Sequence, residues 1–213
     1  MGLSKNTHRG YIGTPPPSGG VFGIDDELVL FQKIISTSQS ITTDTITLGT
    51  VSAGNTIVIF TEKGGSNIGA SSPSGFTQRV LSNGGNPRIA VYTKVATGTE
   101  TTITGDWDVA ASWVINGFVS VVGTPQGPTG TTTSTAPSIN VLSDSLVAFL
   151  TVCNNNATVT TPPVGWTEEV RADGPDREIY VYSKEYSSSQ ATGDVTAVWT
   201  TTPVNSVLIS FIG

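Results

Sequence analysis

Pro73-Ser74-Gly75-Phe76-Thr77, followed by Val80 and then Arg88-Ile89-Ala90-Val91-Tyr92-Thr93-Lys94, returns ninety residues later. There it reads Pro163-Val164-Gly165-Trp166-Thr167, Val170 and Glu178-Ile179-Tyr180-Val181-Tyr182-Ser183-Lys184. Nine of the 22 positions between Pro73 and Lys94 are identical to their counterparts, and Phe76 against Trp166 exchanges one aromatic for another. The match runs outward at the same offset. Thr56-Ile57-Val58-Ile59-Phe60-Thr61 answers Leu146-Val147-Ala148-Phe149-Leu150-Thr151, and Ser120-Val121-Val122-Gly123 answers Ser210-Phe211-Ile212-Gly213. Trp107 and Trp199 align after a two-residue slip. The chain therefore reads as a duplication of one unit, with copies at 41–123 and 131–213. Between them Thr124-Pro125-Gln126-Gly127-Pro128-Thr129-Gly130 suits neither helix nor strand and is read as a linker at 124–130.

Within each copy the periodicity is that of strands. Ile89 and Val91 alternate with Tyr92 and Lys94, and Ile179 and Val181 alternate with Tyr180, Tyr182 and Lys184. Val and Thr, which fit a pleated surface, dominate. Turn signals such as Ser82-Asn83-Gly84-Gly85-Asn86-Pro87 and Ala172-Asp173-Gly174-Pro175-Asp176 interrupt the apolar runs, and no stretch carries a helical stripe. The expected fold is all-β: two tandem antiparallel β-sandwich domains, immunoglobulin-like or jelly-roll-like, each with room for about seven strands. A rival arrangement wraps both copies into one larger jelly roll. The position of the linker favours two units.

The aromatic residues divide by context. Phe76 and Trp166 are expected to plug a core between sheets, and Trp107 and Trp199 to pack inward. Trp113, opposite Pro203 in the repeat alignment, is the candidate for an exposed contact. Tyr92 and Tyr182 are candidates for sheet-surface residues on which a sugar ring stacks.

Composition narrows the function classes. Charged residues make up 12% of the chain and hydrophobic ones 37%, too apolar for a disordered protein and too short of helix formers for a bundle. A net charge of −6 and a pI near 4.6 argue against nucleic acid as a partner. Apolar runs are strand-sized, so no membrane insertion is expected, and the start of the chain lacks the features of a secretory signal, which points to synthesis in a cytoplasm. His8 is the only histidine and Cys153 the only cysteine, which excludes a Ser-His-Asp or Cys-His arrangement in the folded body and a zinc site of His and Cys. Paired acids remain for glycoside hydrolysis, at Asp106 with Asp108, Glu168 with Glu169, or Asp173 with Asp176. None has a paired counterpart in the other copy. Asp173 and Asp176 do not have the spacing of a calcium loop. Neither an enzyme nor a cofactor is expected.

The first forty residues differ in kind and are read as an extended N-terminal anchoring arm, 1–40. Met1 to Ile24 contain Lys5 and Arg9 and no acid, and Thr14-Pro15-Pro16-Pro17-Ser18-Gly19-Gly20 is a polyproline-like stretch leading to a hinge. Lys5, Arg9, Tyr11, Pro15, Pro16, Pro17, Phe22, Asp25, Asp26 and Glu27 are the candidate assembly anchor. Gly20-Val21-Phe22-Gly23-Ile24-Asp25-Asp26-Glu27 resembles a lead segment in virion proteins of tailed bacteriophages, where a Gly-rich lead, an aromatic and Leu/Ile-Asp-Glu precede a β-rich body. The repeated Pro-x-Gly-aromatic-Thr unit is similar to sandwich repeats in phage structural proteins and some bacterial surface proteins. This resemblance implies a non-enzymatic virion component, either a head decoration or a tail or fibre protein. Its expected partners are capsid or tail subunits and further copies of itself. The alternative is a host-surface adhesin or carbohydrate-binding module with a surface glycan as its partner.

Overall fold

A computed structural model describes residues 33–41, 43–65, 72–82, 85–127 and 129–212. The ten expected anchor residues from Lys5 to Glu27 lie outside the described residues. Among those described there is no helix. The first half contributes β1 (Ile34–Ser40), β2 (Thr45–Thr47), β3 (Thr56–Lys63), β4 (Thr77–Leu81), β5 (Arg88–Val95), β6 (Thr102–Thr104) and β7 (Val109–Ile115). The second contributes β8 (Phe118–Val122), β9 (Thr133–Ala136), β10 (Asn140–Val141), β11 (Ser145–Asn154), β12 (Val159–Thr161) and β13 (Thr167–Asp173). It continues with β14 (Arg177–Tyr186), β15 (Gln190–Ala191), β16 (Val195–Trp199) and β17 (Val204–Ile212).

All pairing is antiparallel and nested. In the first half β1 pairs with β7, β2 with β6 and β3 with β5; in the second β8 pairs with β17, β9 with β16, β10 with β15 and β11 with β14. Two five-stranded sheets result, ordered β1-β7-β3-β5-β4 and β8-β17-β11-β14-β13. Smaller sheets, β2-β6 on one side and β12-β16-β9 with β10-β15 on the other, complete the layers. The duplication is visible in the register itself. Val58 faces Trp113 as Ala148 faces Ile209, and β4 and β13 carry the same bulge, at Gln78/Val80 and at Glu168/Val170. The Pro-x-Gly-aromatic-Thr unit is one turn built twice. Phe76 N–H donates to Pro73 O at 3.0 Å and Trp166 N–H to Pro163 O at 3.3 Å. Gly75 and Gly165 take φ of +78° and +76°, where a side chain would be strained.

Three apolar cores separate the layers. One lies under β2-β6 and contains Ile46, Ile57, Ile59, Tyr92 and Trp107; a second lies under the small sheets of the other half and contains Phe149, Tyr180, Tyr182, Leu208 and Trp199. The third lies between the two five-stranded sheets. It takes nine buried side chains from the first half, among them Phe60 and Trp113, and ten from the second, among them Leu150 and Phe211. Neither half covers that face by itself. Trp113 meets Phe60 edge-on with ring centroids 5.1 Å apart and Phe211 of the other half at 6.1 Å. Residues Gln32–Gly213 accordingly form one compact unit.

This alters the organisation expected from the sequence. Each half has a sandwich core, but the halves are fused through the central core instead of being held apart by a linker. The boundaries move as well. Ile34–Ser40, assigned to the arm, is an edge strand of the first sheet, and Phe118–Val122, assigned to the first copy, pairs with β17 of the second. Thr129 bridges to Val204, Gln126 N–H donates to Ser206 O and Gly127 N–H to Asn205 Oδ1, so these linker residues lie along the second half.

Candidate functional site

Polar side chains gather where the two halves meet. Glu62 near the end of β3 is fully buried, and its Oε1 accepts from Arg177 Nη1, at the start of β14, at 3.1 Å. Arg177 Nε lies 2.7 Å from Asp108 Oδ2, and Nη1 also donates to Asn154 Oδ1. Asp108 Oδ2 in turn accepts from the Gly64 N–H at 2.9 Å, and Lys63 pairs with Asp106. Gly64 leaves room for this arginine: a Cβ there would fall 1.7 Å from Arg177 Nη2. The guanidinium thus clasps acidic side chains of the first half from a strand of the second.

Burial sets the protonation of this clasp. Desolvation pushes Glu62 up to about 9, against the pull of Arg177 and with Asp108 and Glu178 adding to the rise. Glu178, 1% exposed, is raised to about 7, chiefly by burial, with the Ala157 amide opposing it. Burial beside these two acids pushes the Cys153 thiol up to about 12, so it is held protonated and unreactive. The clasp joins the sheets. Among the described residues no group of three or more His, Cys, Asp or Glu is arranged to hold a metal ion.

The expected acid pairs are separated in their contacts. Asp106 goes to Lys63 and Asp108 to Arg177; Glu169 accepts from Ser183 Oγ at 2.5 Å; Asp173 lies 3.1 Å from Arg171 Nε.

The three candidate surface contacts are a correction. Tyr92, Trp113 and Tyr182 are 2%, 0% and 1% exposed. Tyr92 and Tyr182 point away from the central core, but small sheets cover that face, so neither ring is open to a sugar. Trp113 fills the central core. Phe76 and Trp166 pack half-buried against the outer cores as expected, and Trp107 and Trp199 are buried.

Two grooves open on opposite flanks of the central sandwich. One, about 370 Å³, runs between β1 and the β13–β14 flank, lined by Ile34, Leu146, Glu169, Ser183, Glu185 and Lys33. The other, about 250 Å³, runs between β8 and the β4–β5 flank, lined by Val119, Thr56, Arg79, Thr93, Val95 and Lys94. Residue for residue these are the same place in the two halves: Thr56 answers Leu146, Arg79 answers Glu169, Thr93 answers Ser183, Val95 answers Glu185, and Val119 answers Ile34. The bulged residue bonds the same neighbour in each, Arg79 Nε donating to Thr93 Oγ1 at 2.8 Å and Ser183 Oγ donating to Glu169. Sequence reasoning missed the grooves. Their signal was present as a charge inversion at one repeat position.

No family model, no curated protein and no solved structure matches the chain. No helix among the described residues is long and apolar enough to cross a membrane.

Proposed function

We propose that the chain is a non-enzymatic structural component of a tailed-phage virion, anchored to head or tail by its N-terminal segment and displaying a pair of jelly-roll-like sandwiches. The nested antiparallel pairing of each half supports the jelly-roll-like reading. The observation that carries the reading is the fused central core. The buried ionic chemistry is spent on clasping one half to the other, and the large aromatics are spent on the three cores. A rigid body of this kind suits a displayed or covering element, and the sequence resemblance in the lead segment and repeat supplies the setting. The glycan-binding alternative loses its stacking platforms with the burial of Tyr92, Trp113 and Tyr182.

The test is removal of residues 2–31, which leaves β1 intact, whereas a cut at residue 40 would strip an edge strand from the body. The truncated protein is expected to keep the far-ultraviolet circular dichroism of a β protein and to fail to sediment with particles of the phage that encodes it. Uptake equal to that of the full chain refutes the anchoring role. Absence of the full chain from gradient-purified particles refutes the virion role.

A further inference from the structure

The two flanks that duplication made equivalent now carry opposite charge. We propose that they are the two sides of one contact, in which the β4–β5 flank of one copy docks head to tail on the β13–β14 flank of a second copy. This goes beyond the virion reading and does not depend on it.

On the β4 flank Arg79 is exposed at the bulge with Gln78 beside it, while Lys94 is met by Glu100 at 2.9 Å. Val95, 65% exposed, adds an apolar surface. On the β13 flank the same positions are Glu168, Glu169 and Glu185; Arg171 is met by Asp173 at 3.1 Å, and against Lys33 and Lys184 nearby the carboxylates remain in excess by one. Contact between like flanks sets Arg79 against Arg79, or Glu168 and Glu169 against themselves. Contact between unlike flanks sets the arginine against the carboxylates. Like-charge juxtaposition is an effective means of rejecting a wrong geometry, so the inversion selects the heterologous contact. Because the flanks lie on opposite sides of the central core, one copy can use both at once, and the product is a ring or a filament. The bulges decide the chemistry of the contact. They interrupt both edge strands at the charged residue, which blocks simple extension of the backbone ladder and leaves association to side chains.

The experiment is sedimentation velocity on the full chain at about 20 mM and about 500 mM salt, where charge screening differs strongly. The expected result is assembly above the 22.1 kDa monomer at low salt that dissociates at high salt. Arg79→Glu and Glu169→Arg should each weaken self-association by at least about tenfold, and an equimolar mixture of the two should recover assembly. Arg79→Gln and Glu169→Gln, milder changes at the same sites, should weaken it by a smaller factor. A wild-type chain that stays monomeric at low salt overturns the proposal. So do assemblies indifferent to all four substitutions, and so does a mixture of two folded reversal variants that fails to associate.

Discussion

Trp113→Phe and Trp199→Phe apply the same perturbation to two buried indoles with opposite hydrogen-bond states. Trp113 is fully buried in the central core, and its Nε1–H finds no acceptor among the described residues. Trp199, 2% exposed, donates to Thr151 Oγ1 at 3.0 Å, and Thr151 donates on to Ser134 Oγ at 3.0 Å. Phenylalanine is smaller by roughly 40 Å³, which at about 24 cal/mol per Å³ of cavity costs about 1 kcal/mol at either site. At Trp113 the exchange also removes an unpaired buried donor, a relief of about 1–3 kcal/mol, so the variant should range from neutral to about 2 kcal/mol more stable. At Trp199 the exchange breaks a made bond worth about 1 kcal/mol, and the variant should lose about 2 kcal/mol. The assay is equilibrium unfolding in guanidinium, followed by circular dichroism and by the fluorescence of the remaining tryptophans. Since one core binds both halves, the two probes should report a single transition. The reasoning is refuted if Trp113→Phe proves the more damaging of the pair.

The clasp gives stability a definite pH dependence. Glu62 has its folded value raised to about 9 from an ordinary 4.5, so the fold holds a proton that the unfolded chain has lost. Its contribution is complete below about 4.5 and is lost as pH rises toward 9. Glu62→Gln should therefore flatten the fall in stability across that window by up to about 1.4 kcal/mol per pH unit, measured by denaturation at several pH values; an unchanged slope would contradict the assignment. Asn205, fully buried on β17, donates to Ser82 Oγ and Pro87 O of the other half and accepts from the Gly127 and Ser206 amides. Asn205→Ala leaves three buried groups and the half-buried Gly127 amide short of a partner and should cost about 3 kcal/mol or more by urea titration, whereas a loss under about 1 kcal/mol would show that water replaces the amide.

Strand content and the duplication could be read from the residues because both are local. The Pro-x-Gly-aromatic-Thr turn has its glycine where φ is positive, and Ile89 with Val91 repeats in Ile179 with Val181. Exposure could not be read in the same way. An alternating strand marks one wet and one dry face only when the sheet has a wet face, and here both five-stranded sheets are inner layers. Tyr92 and Tyr182 therefore looked like surface residues while facing a second core. Trp113 was misplaced by the alignment, since loops of unequal length shift the final strands and its true counterpart is Ile209, not Pro203. The same slip gave Ser120-Val121-Val122-Gly123 to the wrong half. Glu62 and Glu178 were hidden in apolar strands, and the pairing of Glu62 with Arg177 spans halves that the sequence separates. Arg79 against Glu169 was visible as a mismatch, but only the bulges and grooves give the mismatch a location.

The central core also speaks to ancestry. An apolar sheet face covered, among the described residues, by its own duplicate has the geometry of a twofold homodimer threaded onto one chain. Before fusion, a single-unit precursor would have needed a twin at sufficient concentration to hide Phe60 and its neighbours; afterwards the partner arrived covalently attached. Symmetry no longer tied each mutation to its mirror image, so one flank was free to turn basic while the other turned acidic.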